Sequence, residues 1–152
     1  MQKLTPRVLS VLVAALFAIQ SASADTPGKH PFYLHALSDL RAARAHLEHV
    51  SADPVDRAEE RAIRSIDEAI AELKRAAIDD GKDIRDHKSV DTHLLRTDRF
   101  HKALELLDKA QQDASHEEDQ PDTKGLRARV VRHIEAARRE VHRVIERVLS
   151  HG

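Results

Sequence analysis

Beyond residue 30, apolar residues recur every three or four positions, the spacing that lines one face of an α-helix. The first seam is Tyr33, Leu37, Leu40, Arg44 and Leu47, flanked by Ala36, Ala43 and Val50. It predicts a helix over residues 31–50, with Pro31 in the first turn, where a missing N–H costs nothing. A second helix is predicted after Asp53-Pro54, an N-cap followed by proline, with Asp56 in its first turn and Gly81 as its stop. Its seam is Ile63, Ile66, Ile70, Leu73 and Ala77, and Ala62, Ala69 and Ala76 recur every seven residues beside it. A third helix starts near Asp98, carries Phe100, Ala103, Leu104, Leu107, Ala110 and Ala114, and is broken by Gln120-Pro121-Asp122. A fourth starts near Thr123 as N-cap and carries Val130, Ile134, Ala137, Val141, Val144 and Val148, with Val131 and Ile145 widening the stripe. Four such stripes predict an all-α fold, an antiparallel four-helix bundle.

The halves repeat. Tyr33-x-x-Ala36-Leu37-x-x-Leu40-x-x-Ala43 matches Phe100-x-x-Ala103-Leu104-x-x-Leu107-x-x-Ala110. Ile66-Asp67-x-Ala69-x-x-Glu72-Leu73 matches Ile134-Glu135-x-Ala137-x-x-Glu140-Val141. The offsets, 67 and 68 residues, agree to within one. The repeat predicts two duplicated αα-hairpins, each with a short first helix and a longer second one. Residues 82–97, between them, are too long for a tight turn and contain Ile84, Val90, Leu94 and Leu95. The stretch is expected to fold back over the ends of the second and fourth helices in an up-down-up-down bundle. A crossover that sets the third helix parallel to the second is the alternative.

Residues 1–24 stand outside this pattern. Lys3 and Arg7 precede an apolar run over residues 8–19, and Ala22-Ser23-Ala24 then offers small residues for cleavage. That is the anatomy of a signal peptide, with a run too short to span a bilayer comfortably. It predicts export, to the periplasm if the source is Gram-negative, and a mature chain over 25–152 forming one domain. No transmembrane segment is expected after cleavage. Removing Lys3 and Arg7 leaves 23 basic against 26 acidic side chains, a net charge of −3.

Composition narrows the chemistry. With no Cys, there is no disulfide, thiolate metal site, Fe–S cluster or cysteine nucleophile. The four glycines, Gly28, Gly81, Gly125 and Gly152, are too scattered to cradle a phosphate. A slightly acidic chain is not expected to bind nucleic acid. The apolar seams leave no carboxylates or Glu-x-x-His for a di-iron centre, and the mature chain has no Met to ligate haem. No nucleophile elbow points to hydrolysis, so no catalytic residue and no resident cofactor is expected.

Eleven histidines keep a metal in view. His46 and His49 are three residues apart, so both imidazoles can reach one ion, and His35 lies three turns away on the same face. These three are the candidate ligands for Zn²⁺, Cu²⁺ or Ni²⁺, with the rest of a site to come from another helix. Against this, none of the histidines sits on an apolar seam. His35/Asp39, His49/Asp53, His101/Glu105 and His142/Glu146 have the i, i+4 spacing of ordinary surface pairs. The fourth helix is the most basic element, with Arg127, Arg129, Arg132, Arg138, Arg139, Arg143 and Arg147, a face suited to an anionic partner or lipid headgroups.

The segment His30-Pro31-Phe32-Tyr33-Leu34-His35-Ala36-Leu37-Ser38-Asp39-Leu40-Arg41, with residues 101–110 later, resembles a family of small exported bacterial helical proteins. The resemblance implies export and a helical fold; it carries no activity and no site residue. Two functional classes follow. One is a non-enzymatic interaction or stress-related module, meeting a protein partner or a second copy through helix faces. The other is a periplasmic divalent-metal binding or buffering protein.

Overall fold

The computed structural model describes residues 30–48, 57–79, 89–91, 93–117 and 123–151. These form four helices: α1 (Pro31–Leu47), α2 (Arg57–Asp79), α3 (Arg96–His116) and α4 (Leu126–His151). Among the described residues there is no strand, and no helix is long and apolar enough to cross a membrane. Residues 1–24, His49, Val50, the Asp53-Pro54 start and the Gly81 stop lie outside the described residues, as does the side chain of Ala77. Several predicted boundaries shift by a few residues. α1 ends at Leu47, with Glu48 as its C-cap, short of the predicted residue 50, and α3 ends at His116. α3 begins two residues before Asp98. Thr123 opens a single 3-10 turn, not α4 itself, and Gly125, at φ +72°, makes the left-handed step into α4.

The predicted seams form one core. Tyr33, Leu37, Leu40, Leu47, Ile66, Leu73, Phe100, Leu107, Ile134 and Val141 are all buried. The repeat is visible in this burial: Tyr33 and Phe100, 67 residues apart, are 0% and 1% exposed. Small residues matter more than their size suggests. Ala62 and Ala69, expected beside the α2 seam, are fully buried, whereas Ile63 is only partly so. Alanines at seven-residue spacing let α2 lie close against the Val130–Ile134–Ala137–Val141 stripe of α4.

The connectivity corrects the up-down-up-down expectation. α1 packs on α2 and α3, and α4 packs on α2 and α3. The diagonal pairs are therefore α1/α4 and α2/α3. Cross-links give the directions. Phe32 at the start of α1 meets Glu117 at the end of α3, and His46 near the end of α1 meets Arg99 near the start of α3, so these two run antiparallel. Arg61 meets Glu140 and Glu72 meets Arg129, so α2 and α4 are also antiparallel. Glu59 and Arg96 pair at 3.2 Å, which places the first turns of α2 and α3 at the same end. α2 and α3 are thus parallel across the diagonal, so the end of α2 and the start of α3 lie at opposite ends of the bundle. The distance is feasible: α2's 23 residues rise ~34 Å, and the 16 residues between Asp79 and Arg96 can span up to ~50 Å. The described end of this crossover lies by α1 and α3, where Asp91 acts electrostatically on His46.

Candidate functional site

The histidines divide by what α3 does to them. His35 is exposed. His46, three turns later on the same face, is buried at 5% exposure. The expectation that no histidine points inward is therefore wrong for His46, and for His30, which is 1% exposed. The reason lies outside their own helix. α3 runs down this flank of α1, and its first turns cover His46 where the crossover also arrives.

Burial, reinforced by the positive charges of Lys102 and Arg99, holds the His46 imidazole below the usual histidine pKa; Asp91 opposes the shift. His46 Nδ1 has no hydrogen-bond partner among the described residues. The group is a neutral imidazole at neutral pH, and Arg99 and Lys102 make its surroundings unfavourable for a cation. His35 stands ~16 Å along the axis from it, too far to share an ion, and His49 lies outside the described residues. Among the described residues no three His, Asp or Glu side chains converge to hold a metal.

His35 instead borders an open pocket of ≈ 400 Å³ between α1 and α3, with Ser38, Asp39, Lys109 and Asp113. Its mixed charges are those of two adjoining helix surfaces, and Lys109 is already paired with Glu105 at 3.1 Å.

The ends of α1 show a second constellation. His30, the N-cap residue, gives α1 no side-chain cap. Glu117 supplies the acceptor from α3: its Oε2 takes the Phe32 N–H at 3.1 Å and its Oε1 lies 3.2 Å from His30 Nδ1. At the other end Arg99 Nη1 donates to the His46 carbonyl at 2.9 Å. A carboxylate thus meets the positive end of the α1 dipole and a guanidinium the negative end. Burial lowers the Arg99 pKa from its ordinary value, with Glu59 opposing, and the group remains a cation. Sequence reading missed this pair because each side chain serves a backbone group on another helix, which single-helix periodicity does not register.

Charge elsewhere is sorted by position. Arginines at helix junctions face acids of a neighbouring helix: Arg44–Asp67, Arg61–Glu140, Arg129–Glu72 and Arg138–Asp108. The Asp67 hydrogen bond raises the Arg44 pKa, and the Arg61 hydrogen bond lowers that of Glu140. His133 pairs with Glu68 in the same way, at 2.9 Å. The expected His101/Glu105 pair does not form. His101 turns Nδ1 to the Thr97 carbonyl, and Glu105 is taken by Lys102 and Lys109.

Exposed arginines without an ion-pair partner among the described residues occur on α2, at Arg57 and Arg64, and on the outer face of α4. Arg132 and Arg139 are exposed and have no ion-pair partner among the described residues, and Arg143 and Arg147 continue the row. Arg143 shares Glu140 with Arg61, and Glu146 is the exposed acid beside the row. Comparison with family models, curated proteins and solved structures finds no match.

Proposed function

We propose that the chain is a non-enzymatic interaction module, exported by its first 24 residues, that meets an anionic partner through the outer face of α4. One observation carries this reading. In a chain with a net charge of −1, junction arginines are matched by acids of neighbouring helices, yet Arg132 and Arg139 face solvent unmatched. α2 also leaves Arg57 and Arg64 exposed without an ion-pair partner among the described residues, but α4 adds Arg143 and Arg147 to Arg132 and Arg139, so basic side chains are densest along its outer side.

The interior supports the non-enzymatic part. Its seams are filled by Leu, Ile, Val, Ala, Tyr33 and Phe100, and the buried polar groups Arg99 and Glu117 are engaged in holding α1. The metal-buffer alternative gains no specific support, because His46 sits among cations and His35 lies far from it.

The test is retention of residues 25–152 on an anionic heparin column at neutral pH. A chain with net charge −3 flows through unless a positive face binds. Retention that is released by salt and lost in Arg132→Gln/Arg139→Gln supports the reading; flow-through of the parent chain overturns it. Export is checked separately by expressing the full chain in a Gram-negative host. The periplasmic fraction should contain a chain whose N-terminus is Asp25.

A further inference from the structure

The two ends of α1 treat a buried histidine in opposite ways. Where α1 begins, His30 Nδ1 lies 3.2 Å from the Glu117 carboxylate, so a proton on that ring meets an acid. Where α1 ends, His46 is 5% exposed and its Nδ1 has no hydrogen-bond partner among the described residues. Its own carbonyl is held at 2.9 Å by Arg99. A proton on that ring meets cations.

Each element packed around His46 contributes charge. α3 brings the buried Arg99 and, one turn later, Lys102, which shares Glu105 with Lys109. α2 brings the buried Glu59, which pairs with Arg96 at 3.2 Å and also acts on Arg99. The crossover brings the exposed Asp91, which opposes the cations. On α1 itself Arg44 is shared between Glu48 and Asp67. α4 lies across the diagonal. Burial first, then Lys102 and Arg99, hold the ring below the ordinary histidine pKa.

Protonating His46 in place sets one more cation beside Arg99 in a buried setting. Such a charge is relieved by the motion of least cost that hydrates it. Here that motion is local, because α1 ends at Leu47, one residue after His46, and terminal turns open at lower cost than helix interiors. Lifting the turn off α3 breaks the contact of Arg99 with the His46 carbonyl and uncovers Leu47, 2% exposed in the closed bundle.

We propose that the junction between the last turn of α1 and the first turns of α3 is an acid-operated latch: a proton on His46 releases that turn and exposes Leu47, while the rest of the bundle stays closed. The inference goes beyond the interaction reading and does not depend on the α4 arginines.

The experiment is amide hydrogen exchange of residues 25–152, followed by NMR from pH 7.5 to 5.0 and corrected for the intrinsic pH dependence of exchange. Every core residue lies between Tyr33 and Ile145, so this chain keeps the whole described fold. Protection of amides 45–48 should fall as pH drops below about 6.5, by at most about tenfold per pH unit, the limit for one proton. Amides 107–114, in the second half of α3, should keep theirs. His46→Gln should hold amides 45–48 at one level across the range. Lys102→Gln, which removes a cation facing the ring, should shrink the loss roughly two- to fivefold. His35→Gln, exposed on the same helix, should leave it unchanged.

Circular dichroism confirms that each variant keeps its helices; if His46→Gln does not fold, Lys102→Gln decides alone. Constant protection of amides 45–48 down to pH 5.0 overturns the latch. An equal loss at 45–48 and 107–114 also overturns it, since the bundle then opens as a whole. So does a pH response that survives in His46→Gln or is unaltered in Lys102→Gln. None of these outcomes bears on retention by heparin, so the two proposals fail separately.

Discussion

The carboxylate of Glu117, just past the end of α3, accepts the backbone N–H of Phe32 in the first turn of α1, 85 positions earlier in the chain. A helix start leaves its first N–H groups without intrahelical acceptors. Here the acceptor comes from another helix and also contacts the buried His30. Glu117→Ala should cost about 1–3 kcal/mol, since it strands a part-buried donor. Glu117→Gln keeps an amide oxygen for the N–H and should cost less. Urea unfolding gives the two values. Hydrogen exchange should accelerate first at Phe32 and Tyr33; equal stability of Glu117→Ala and the parent chain would show that the contact contributes nothing.

Arg99 makes the complementary contact at the other end. Its donation to the His46 carbonyl satisfies one of the last C=O groups of α1 and sets positive charge at the negative pole of that helix. Arg99→Ala leaves the carbonyl without its donor and should destabilise by about 1–3 kcal/mol. Lysine has the charge but not the reach of the guanidinium fork, so Arg99→Lys should recover only part of the loss. Full recovery in Arg99→Lys would assign the effect to charge alone.

His46 should make stability fall on mild acidification. Its folded-state pKa is lowered by burial and by Lys102 and Arg99, so between that value and about 6.5 the unfolded chain binds a proton that the folded chain does not. Stability from this residue is complete above pH ~6.5 and is lost as pH falls below it, levelling off under the folded pKa. His46→Gln should flatten the pH dependence of the urea midpoint in this window. Glu140, lowered by its Arg61 hydrogen bond, acts further down, its contribution lost only as pH falls below about 4.5. An NMR titration of the His46 ring with a midpoint at or above 6.5 would contradict this account.

Overpacking tests the close α2–α4 contact. Ala69 is fully buried, and a leucine there must push the helices apart, at a cost of about 1–3 kcal/mol. Ala71, exposed on the same helix, should accept leucine with a change within about 0.5 kcal/mol. Thermal melts of the two variants make the comparison, and equal melting temperatures would refute the tight interface.

Particular residues show what one sequence reveals. Tyr33 and Phe100 were legible as core because each opens an apolar heptad pattern and the two share an offset with a second matched pair. Ala69 was placed beside its seam because a helical wheel weighs large residues most, although small residues mark where helices come closest. His46 looked like a surface group because its own helix puts it off the seam; α3 decides its burial. Glu105 had a histidine and two lysines within a turn, and spacing alone does not rank them; the folded chain gives it to Lys102 and Lys109. The unmatched arginines of α4 were visible as a basic helix, but which arginines are neutralised depends on acids brought by α2 and α3.

The crossover is the feature that periodicity could not decide, since both topologies bury the same stripes. It makes a distance prediction. With α2 and α3 parallel, Glu60 and Asp98 lie near the same end, as the Glu59–Arg96 pair requires, while Arg75 lies ~22 Å further along the axis. The chain has no native cysteine, so spin labels can be placed at chosen pairs without background. Labels at Glu60 and Asp98 should report a distance shorter than labels at Arg75 and Asp98 by on the order of 10–15 Å, allowing for the lateral spacing across the diagonal. In an up-down-up-down bundle the end of α2 sits beside the start of α3, and the order reverses. A shorter Arg75–Asp98 distance would therefore overturn the parallel arrangement. It would also separate Leu95 from the Glu59 end, because Arg96 could no longer reach that carboxylate.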